Sequence, residues 1–192
     1  MSSSSTHCPH IHCRPATASD ISLIAAAVSM AIGDESMRGY CGERYMEVLE
    51  EIVGRAETQY SYRNAFIAEV DGEPAGAIVG YNGAHLEAMR SCTLSIVERH
   101  TGRRPVIADE TEAGEYYIDS LGVLPSFRNQ GVGTQLLRHI IAAAFAAGHH
   151  RVGLIVDHDN PRAERVYHSI GFRRVGEKDF LGHPMWHMQI KP

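Results

Sequence analysis

The chain has 192 residues, of which 44% are hydrophobic and 21% charged, a composition typical of one soluble domain with a sizeable core. Its formal net charge of −5 argues against a nucleic-acid-binding surface, which usually needs a basic patch. The longest apolar run, residues 21–33, is too short to span a bilayer.

The N-terminal segment and the cysteines favour a cytoplasmic protein. The first residues, MSSSSTHCPHIHC, lack the basic and then apolar order of a secretory signal, and the four cysteines form no C-x-x-C pair. We expect a loose tail over residues 1–10 and a single domain over residues 11–192. Histidines and cysteines crowd positions 7–13, but no second ligand pair stands at zinc-finger spacing, so no metal is expected.

The first half of the chain predicts a strand, two helices and a hairpin. A strand over residues 11–14 precedes a helix that Thr17 or Asp20 can cap, and ERYMEVLEEIVGRA has the spacing of a second, amphipathic helix. Two β-type runs meet at Asp71 and Gly72, a dipeptide that suits a tight hairpin turn. A further helix is expected from His85 to about His100, followed by a loop.

The second half of the chain alternates strands and helices. EYYIDSLGV is a clear strand, helical spacing runs from Gly131 to Gly148, RVGLIV is a short buried strand, and NPRAERVYHSI is a helix. Two last strands are expected around 172–175 and 185–190. The order β-α-α-β-β-(α)-β-α-β-α-β-β predicts a mixed α/β sheet in one domain.

A glycine-rich stretch, FRNQGVGTQL, lies between the strand EYYIDSLGV and the helix that follows it. It lacks the third glycine and the early position of a dinucleotide fingerprint, and it lacks the lysine of a Walker loop. Gly131 and Gly133 leave the N–H groups of the helix start accessible to a diphosphate, and Arg128 adds a fixed positive charge. Taken alone, the same residues also fit a plain strand-to-helix turn.

Three motifs together resemble the GNAT superfamily, the N-acetyltransferases that use acetyl-CoA. VLPSFRNQGVGTQLL matches its R/Q-x-x-G-x-G/A signature, YYIDSLGV looks like its central strand, and NPRAERVYHSIGF resembles its second cofactor motif. IHCRPATASDISLI is similar to the family's first strand and helix. The resemblance covers about residues 11–190, except for an apparent insertion at about 84–113. It implies a single-domain α/β fold whose mixed, mostly antiparallel sheet is flanked by helices and has splayed central strands.

The resemblance also implies where acetyl-CoA is held. The acyl-pantetheine arm would lie between the central strand and the next one, where it would pair with backbone groups of Leu121, Gly122 and Val123. An N–H group near Val123 would face the thioester oxygen, and Asn160 would meet the pantetheine arm. The diphosphate would lie on the loop formed by Arg128, Asn129, Gln130, Gly131, Val132, Gly133 and Thr134.

The resemblance places Tyr167 at the family's general-acid position. Its phenol could protonate the departing thiolate, because ordinary pKa values of about 10 for tyrosine and about 8.5 for a thiol lie close together. The alternative is an aromatic ring that packs under the cofactor. The surrounding residues Val166, Ile170 and Phe172 fit this alternative, because they look like core.

The base that deprotonates the acceptor is left open between two carboxylates. Strand alternation puts Glu115, Tyr117 and Asp119 on one face of the central strand. Asp119 is the preferred base because it is nearer the cofactor gap, Glu115 is the second choice, and Tyr117 would line the substrate site. Asp119 also fits a structural hydrogen-bond acceptor, and a water relay would need no single essential base.

The motifs predict an N-acetyltransferase that moves an acetyl group from acetyl-CoA to a primary amine of a small molecule or peptide by direct attack. A non-catalytic regulator that binds acyl-CoA is the alternative. An acidic patch ahead of the central strand suits a cationic acceptor or forms a solvated loop; it comprises Asp109, Glu110, Glu112 and Glu115. Neither nucleic acid nor membrane is an expected partner, and the apolar second helix hints at a homodimer.

Overall fold

The computed structural model describes residues 10–192, which form a seven-stranded sheet with helices on both faces. The strands are β1 Ile11–Pro15, β2 Ala65–Val70, β3 Glu73–Asn82, β4 Tyr116–Val123, β5 Val152–Asp157, β6 Arg173–Phe180 and β7 His183–Ile190. The helices are α1 Ile21–Ile32, α2 Asp34–Cys41, α3 Tyr45–Gly54, α4 Leu86–Thr101, α5 Val132–Ala146 and α6 Pro161–Ile170.

The strand order is β1-β2-β3-β4-β5-β7-β6, and every neighbouring pair is antiparallel except β4 and β5. Alternating side chains divide the core into two layers. Ile67 and Val79 pack with the helices α1 to α4, whereas Ala68 and Ile78 pack with α5 on the opposite face. The predicted mixed, mostly antiparallel sheet flanked by helices is therefore confirmed.

The local features predicted in the first half have clear physical causes. Asp71 and Gly72 both take positive φ angles, 52° and 89°, which match the twist of a two-residue hairpin turn between β2 and β3. Thr17 caps the 3₁₀ turn Ala18–Asp20 that leads into α1, and the Asp20 carboxylate accepts from the Thr17 N–H at 2.8 Å.

Two features of the fold differ from the prediction. Helix α2 was missed, because it is only eight residues long and carries few apolar residues, of which it buries Met37, Tyr40 and Cys41. The predicted last strands, around 172–175 and 185–190, were too short, since β6 and β7 continue to a hairpin whose turn is Leu181 and Gly182. Strand β6 is exposed and charged, so it lacks the apolar alternation of a half-buried strand.

The two central parallel strands separate along their length. Tyr116 lies opposite Val152 and Tyr117 opposite Gly153, and these are the only two register pairs between β4 and β5 in the described part of the chain. Strand β5 stays paired with β7 as far as Asp157, while β4 stays paired with β3 as far as Val123. The splayed central strands predicted from the sequence are thus present.

A β-bulge in β4 lies at the point where the strands separate. Gly80 of β3 is opposite Ile118 and Val79 is opposite Ser120, so Asp119 has no residue opposite it. Bulges bend a strand and redirect its side chains. A Cβ atom on Gly80 would lie within 2.9 Å of the Tyr117 carbonyl oxygen, so this close approach of the two strands requires glycine.

Candidate active site

Two cavities lie on either side of the gap between β4 and β5. The one beside the glycine-rich turn, here called the glycine-loop cavity, has a volume of about 510 Å³. The other, here called the carboxylate cavity, has a volume of about 470 Å³. Four residues line both cavities: Leu121, Asn160, Ala163 and Tyr167. A molecule that lies along the gap would therefore reach from one cavity into the other.

The floor of the glycine-loop cavity is the start of α5. Gly131 caps this helix with a φ angle of 86°, and no atom lies within 4 Å of the position that a Cβ would take. The N–H groups of Val132, Gly133 and Thr134 belong to the first turn, where an α-helix leaves them without intrahelical partners. This arrangement can bind an anion through bare amides at the positive end of the helix.

Two guanidinium groups flank the same turn. Arg128 donates from Nε to the carbonyl oxygen of Val123 at 3.1 Å, and Arg162 donates from Nη2 to Oδ1 of Asn129 at 2.8 Å. Sequence reasoning missed Arg162, which stands in the first turn of α6 directly after Asn160 and Pro161. The position of Arg162 could have indicated an anion site, because a cation at a helix N-terminus is unfavourable unless an anion is nearby.

Two of the predicted cofactor residues do not line either cavity. Gly122 faces α1, where a Cβ would lie 2.5 Å from the Cα of Ala27, so glycine is needed for the helix to pack on β4. The Gln130 side chain donates to the carbonyl oxygen of Ser126 at 3.0 Å. Any contact that these two residues make with a cofactor must come from their backbone, and it stays a prediction.

Asn160, at the N-cap of α6, and Tyr167, about two turns further along the helix, both line the two cavities. Asn160 caps the helix by accepting the N–H of Ala163 at 3.1 Å, which leaves its amide NH₂ group to donate elsewhere. The Tyr167 ring packs edge-on against Phe172. Burial raises the pKa of Tyr167 to about 12, so its phenol is protonated at neutral pH but is a weaker acid toward a thiolate than an ordinary tyrosine.

The carboxylate cavity is enclosed by the end of α1, the start of α2, the splayed ends of β4 and β5, and the tip of the β6–β7 hairpin. Three carboxylates line it, Glu110, Asp119 and Asp157, and no lysine or arginine of residues 10–192 does. The hairpin contributes Phe180, Leu181 and His183. The cavity therefore suits a ligand with positive charge.

Asp119, the preferred base, points into the carboxylate cavity from the bulge in β4. Its carboxylate accepts hydrogen bonds from the Tyr81 hydroxyl at 3.0 Å, from Ser120 Oγ at 2.9 Å and from Gln59 Nε2 at 3.5 Å. Burial, and then the negative charge of Glu110, raises the pKa of Asp119 from 3.8 to about 7. A carboxylate with this pKa is well matched to take a proton near neutral pH.

Glu110 is buried and lines the carboxylate cavity. For this member of the acidic patch, the alternative of a solvated loop residue is therefore wrong. Arg90 of α4 forms an ion pair with the Glu110 carboxylate and a second one with Asp109, at 2.6 Å. The Tyr81 hydroxyl lies 3.2 Å from Glu110 Oε1. Sequence reasoning missed Tyr81, Arg90 and Gln59, because no motif connects residues so far apart in the chain.

Glu115, the second candidate base, does not line either cavity. It is fully buried where β4 and β5 still pair, and it accepts hydrogen bonds from Thr111 Oγ1 at 2.8 Å, from Gln189 Nε2 and from His187 Nε2 at 2.8 Å. Burial raises the pKa of Glu115, but the interaction with His187 and the hydrogen bonds from Thr111 and Gln189 together leave the pKa below its ordinary value. The geometry is that of a carboxylate that joins β4 to β7.

Two expectations about metals and membranes can be compared with the described residues. Within residues 10–192 no group of three or more histidine, cysteine, aspartate or glutamate side chains is placed to hold a metal ion. His7 and Cys8 of the histidine- and cysteine-rich stretch lie outside the described residues. No helix in the described part of the chain is long and apolar enough to cross a bilayer.

A solved structure with the same fold is described as the crystal structure of an acetyltransferase. It superposes with a TM-score of 0.78 over 94% of this chain and 98% of that one, at 29% identity. The fold and the site thus define a protein of the acetyltransferase class. The family model of the acetyltransferase (GNAT) family matches residues 34–172, and the chain belongs to that family. The family predicted from the sequence is confirmed, and acetyl-CoA is the donor that this family uses.

Two curated relatives share part of the chain. The N-alpha-acetyltransferase RimI of Mycobacterium tuberculosis is 42% identical over 62 residues, which are 32% of this chain and 37% of RimI. The mycothiol acetyltransferase of Frankia alni is 34% identical over 122 residues, which are 62% of this chain and 30% of that protein. The matched stretches therefore span only about a third of these relatives.

Proposed function

We propose that the protein transfers the acetyl group of acetyl-CoA to a primary amine of a small molecule or peptide, by direct attack of the amine on the thioester. One observation carries the proposal. An anion-binding helix start and a carboxylate-lined cavity meet at a gap between parallel strands, and Tyr167 and Asn160 line both sides of the junction. One side suits the donor and the other suits a cationic acceptor.

The proposed donor site follows the glycine-loop cavity. The diphosphate would bind the first-turn N–H groups of Val132, Gly133 and Thr134, with Arg128 and Arg162 as flanking cations. The pantetheine arm would then lie against β4 beyond Tyr117, where the strand no longer pairs with β5. Its amides could bond to the free edge of β4 as an added strand, through backbone groups of Leu121, Gly122 and Val123.

In the proposed reaction Asp119 takes a proton from the acceptor's ammonium group, because an ammonium nitrogen has no lone pair with which to attack. The resulting amine forms the C–N bond at the thioester carbon, and a backbone N–H near Val123 stabilises the tetrahedral oxyanion. The C–S bond then breaks, and Tyr167 donates its phenol proton to the departing thiolate. A second proton leaves the nitrogen of the intermediate and restores the Tyr167 phenol, and the proton on Asp119 passes to solvent. The products are the N-acetylated amine, free coenzyme A and one proton.

The position of Asp119 favours it over Glu115 as the base. Asp119 faces the cavity and has a pKa of about 7, whereas both oxygens of Glu115 accept hydrogen bonds away from the cavities. We assign Glu115 a structural role. The cytoplasmic location and the homodimer predicted from the sequence stay predictions.

The experiment that tests the proposal measures free thiol released from acetyl-CoA over a panel of primary amines. The panel contains diamines, amino sugars and short peptides with a free N-terminus, with their N-acetylated forms as controls. We expect stoichiometric release of coenzyme A with at least one cationic amine. Binding of acetyl-CoA without turnover across the panel would instead favour a regulator that senses acyl-CoA.

A further inference from the structure

We propose that the hydroxyl of Tyr81 is shared between Asp119 and Glu110, and that it positions the Asp119 carboxylate to receive the acceptor's proton. The inference rests on the proposed function, in which Asp119 is the base. It assigns two positioning residues, Tyr81 on β3 and Glu110 on the loop before β4, which belong to neither of the motifs that bind the donor.

The geometry places one hydroxyl between two carboxylates. The Tyr81 oxygen lies 3.0 Å from Asp119 Oδ2 and 3.2 Å from Glu110 Oε1. A phenol carries a single hydrogen, so it can donate to only one of the two carboxylates at a time. Burial holds the pKa of Tyr81 well above its ordinary value, and the hydroxyl therefore keeps its hydrogen throughout.

The shared hydroxyl has two arrangements, and a proton on Asp119 selects between them. When Asp119 is ionised, the Tyr81 hydroxyl donates to it. When Asp119 has taken a proton from the ammonium group, its own O–H can donate to the Tyr81 oxygen, and the Tyr81 hydroxyl turns to donate to Glu110. The N–H bond of the ammonium breaks and an O–H bond on Asp119 forms, while the O–H bond of Tyr81 stays intact.

Glu110 can serve as the second acceptor because Arg90 holds its carboxylate in place through an ion pair. Both are buried, and Arg90 also bonds to the exposed Asp109 and to the carbonyl oxygens of Ile107 and Ala108. The ionisable groups near Asp119 come from several elements: Tyr40 from α2, Tyr60 from the loop before β2, Tyr81 from β3, Arg90 from α4, Glu110 from the loop before β4, and Tyr117 from β4. Of these, only Glu110 adds a second negative charge. Asp157 of β5 and His183 of β7 line the same cavity.

The arrangement predicts opposite effects of two substitutions on the acid limb of the pH profile, the range in which kcat/KM falls at low pH because the base is protonated. Tyr81→Phe removes a hydrogen bond to ionised Asp119, so the acid limb should move to higher pH by about one unit. At pH values below the pKa of the base, this shift corresponds to about a tenfold loss of kcat/KM. Glu110→Gln removes the neighbouring negative charge, so the limb should move down. Tyr116→Phe is the matched control: it loses a hydroxyl that bonds to the Gly80 carbonyl oxygen and to neither Asp119 nor Glu110, and its limb should not move.

The same profiles separate this inference from the proposed function. If Asp119→Asn removes the acid limb but the limb stays in place in Tyr81→Phe or in Glu110→Gln, Asp119 is the base and the shared hydroxyl is overturned. If Asp119→Asn retains the limb, the proposed base itself is wrong. Should one of the two variants fail to fold by circular dichroism, the other decides alone, because an unmoved limb in either contradicts the inference.

Discussion

Tyr117 of β4 lies opposite Gly153 of β5, and this is the last register pair before the two strands separate. The carboxylate of Glu115 reaches across Gly153, where a Cβ atom would lie 2.0 Å from Oε2, and it bonds to His187 of β7. The closed end of the gap is therefore fixed by buried polar contacts. The open end is formed by Asp119, Leu121 and the residues that line the two cavities.

Tyr167→Phe should lower kcat by about two orders of magnitude, because general-acid assistance contributes roughly 10²–10⁴-fold. The ring remains to pack against Phe172, so the Kd for acetyl-CoA should change little. Steady-state thiol release and calorimetric binding measure the two effects separately. Tyr116→Phe, whose hydroxyl lies outside both cavities, serves as the control. Full turnover in Tyr167→Phe would assign Tyr167 to packing under the cofactor.

Gly131→Glu should abolish acetyl-CoA binding, because a carboxylate would enter the proposed diphosphate site. Gly148→Glu is a close control for backbone strain: Gly148 lies just past the other end of α5, its φ angle is 88° against 86° for Gly131, and neither Cβ would meet an atom within 4 Å. Both variants should lose similar stability. In a thermal-shift titration, acetyl-CoA should raise the Tm of Gly148→Glu and leave the Tm of Gly131→Glu unchanged. An equal rise in both variants would mean that the diphosphate does not bind at Gly131.

Arg162→Ala should raise the KM for acetyl-CoA by about tenfold, the usual scale of a charge-assisted hydrogen bond to phosphate. The effect should shrink with added salt, since the side chain is exposed and its charge is screened. Arg165→Ala on the same helix removes an exposed arginine that does not line the glycine-loop cavity, and its KM should stay unchanged. Equal KM values in the two variants would leave Arg162 without a role at the diphosphate.

The stability of Asp119→Asn relative to the parent protein should rise with pH. The folded-state pKa of Asp119 is about 7, above the 3.8 of an ordinary aspartate, so the folded state binds the proton more tightly than the unfolded state. The stability that this proton contributes is fully present below about pH 4 and is lost as the pH rises through 7. Asparagine cannot ionise and avoids that loss.

Urea unfolding at several pH values between 4 and 8 measures this difference. Asp159→Asn, at an exposed position, is the control, and its stability difference from the parent should vary little with pH. A flat difference for Asp119→Asn as well would mean that Asp119 keeps an ordinary pKa in the fold.

Much of the donor side could be predicted from the sequence because its parts are local. The glycine turn at Gly131 and the start of the helix NPRAERVYHSI follow from the conformations that a few neighbouring residues allow. The hairpin at Asp71 and Gly72, elsewhere in the sheet, follows in the same way. The alternation along β4 puts Asp119 on the face of the strand that lines the carboxylate cavity. These features depend on short-range geometry, which the order of residues carries directly.

The acceptor side could not be predicted in the same way, because it is assembled from distant segments. Tyr81 and Asp119 are 38 positions apart, and Gln59 and Asp119 are 60 positions apart. Strand alternation also places Glu115 and Asp119 on one face, yet the separation of β4 from β5 leaves Glu115 at the closed end of the gap. The bulge at Asp119 and the pairing of Glu110 with Arg90 are tertiary features that no local pattern encodes.

A crystal structure with bound coenzyme A tests the central claim most directly. We expect the diphosphate to contact the backbone N–H groups of residues 131–134 between Arg128 and Arg162. The pantetheine should run along β4 beyond Tyr117, with its sulfur at the junction near Tyr167. A diphosphate bound elsewhere, or a pantetheine arm outside the gap between β4 and β5, would contradict it.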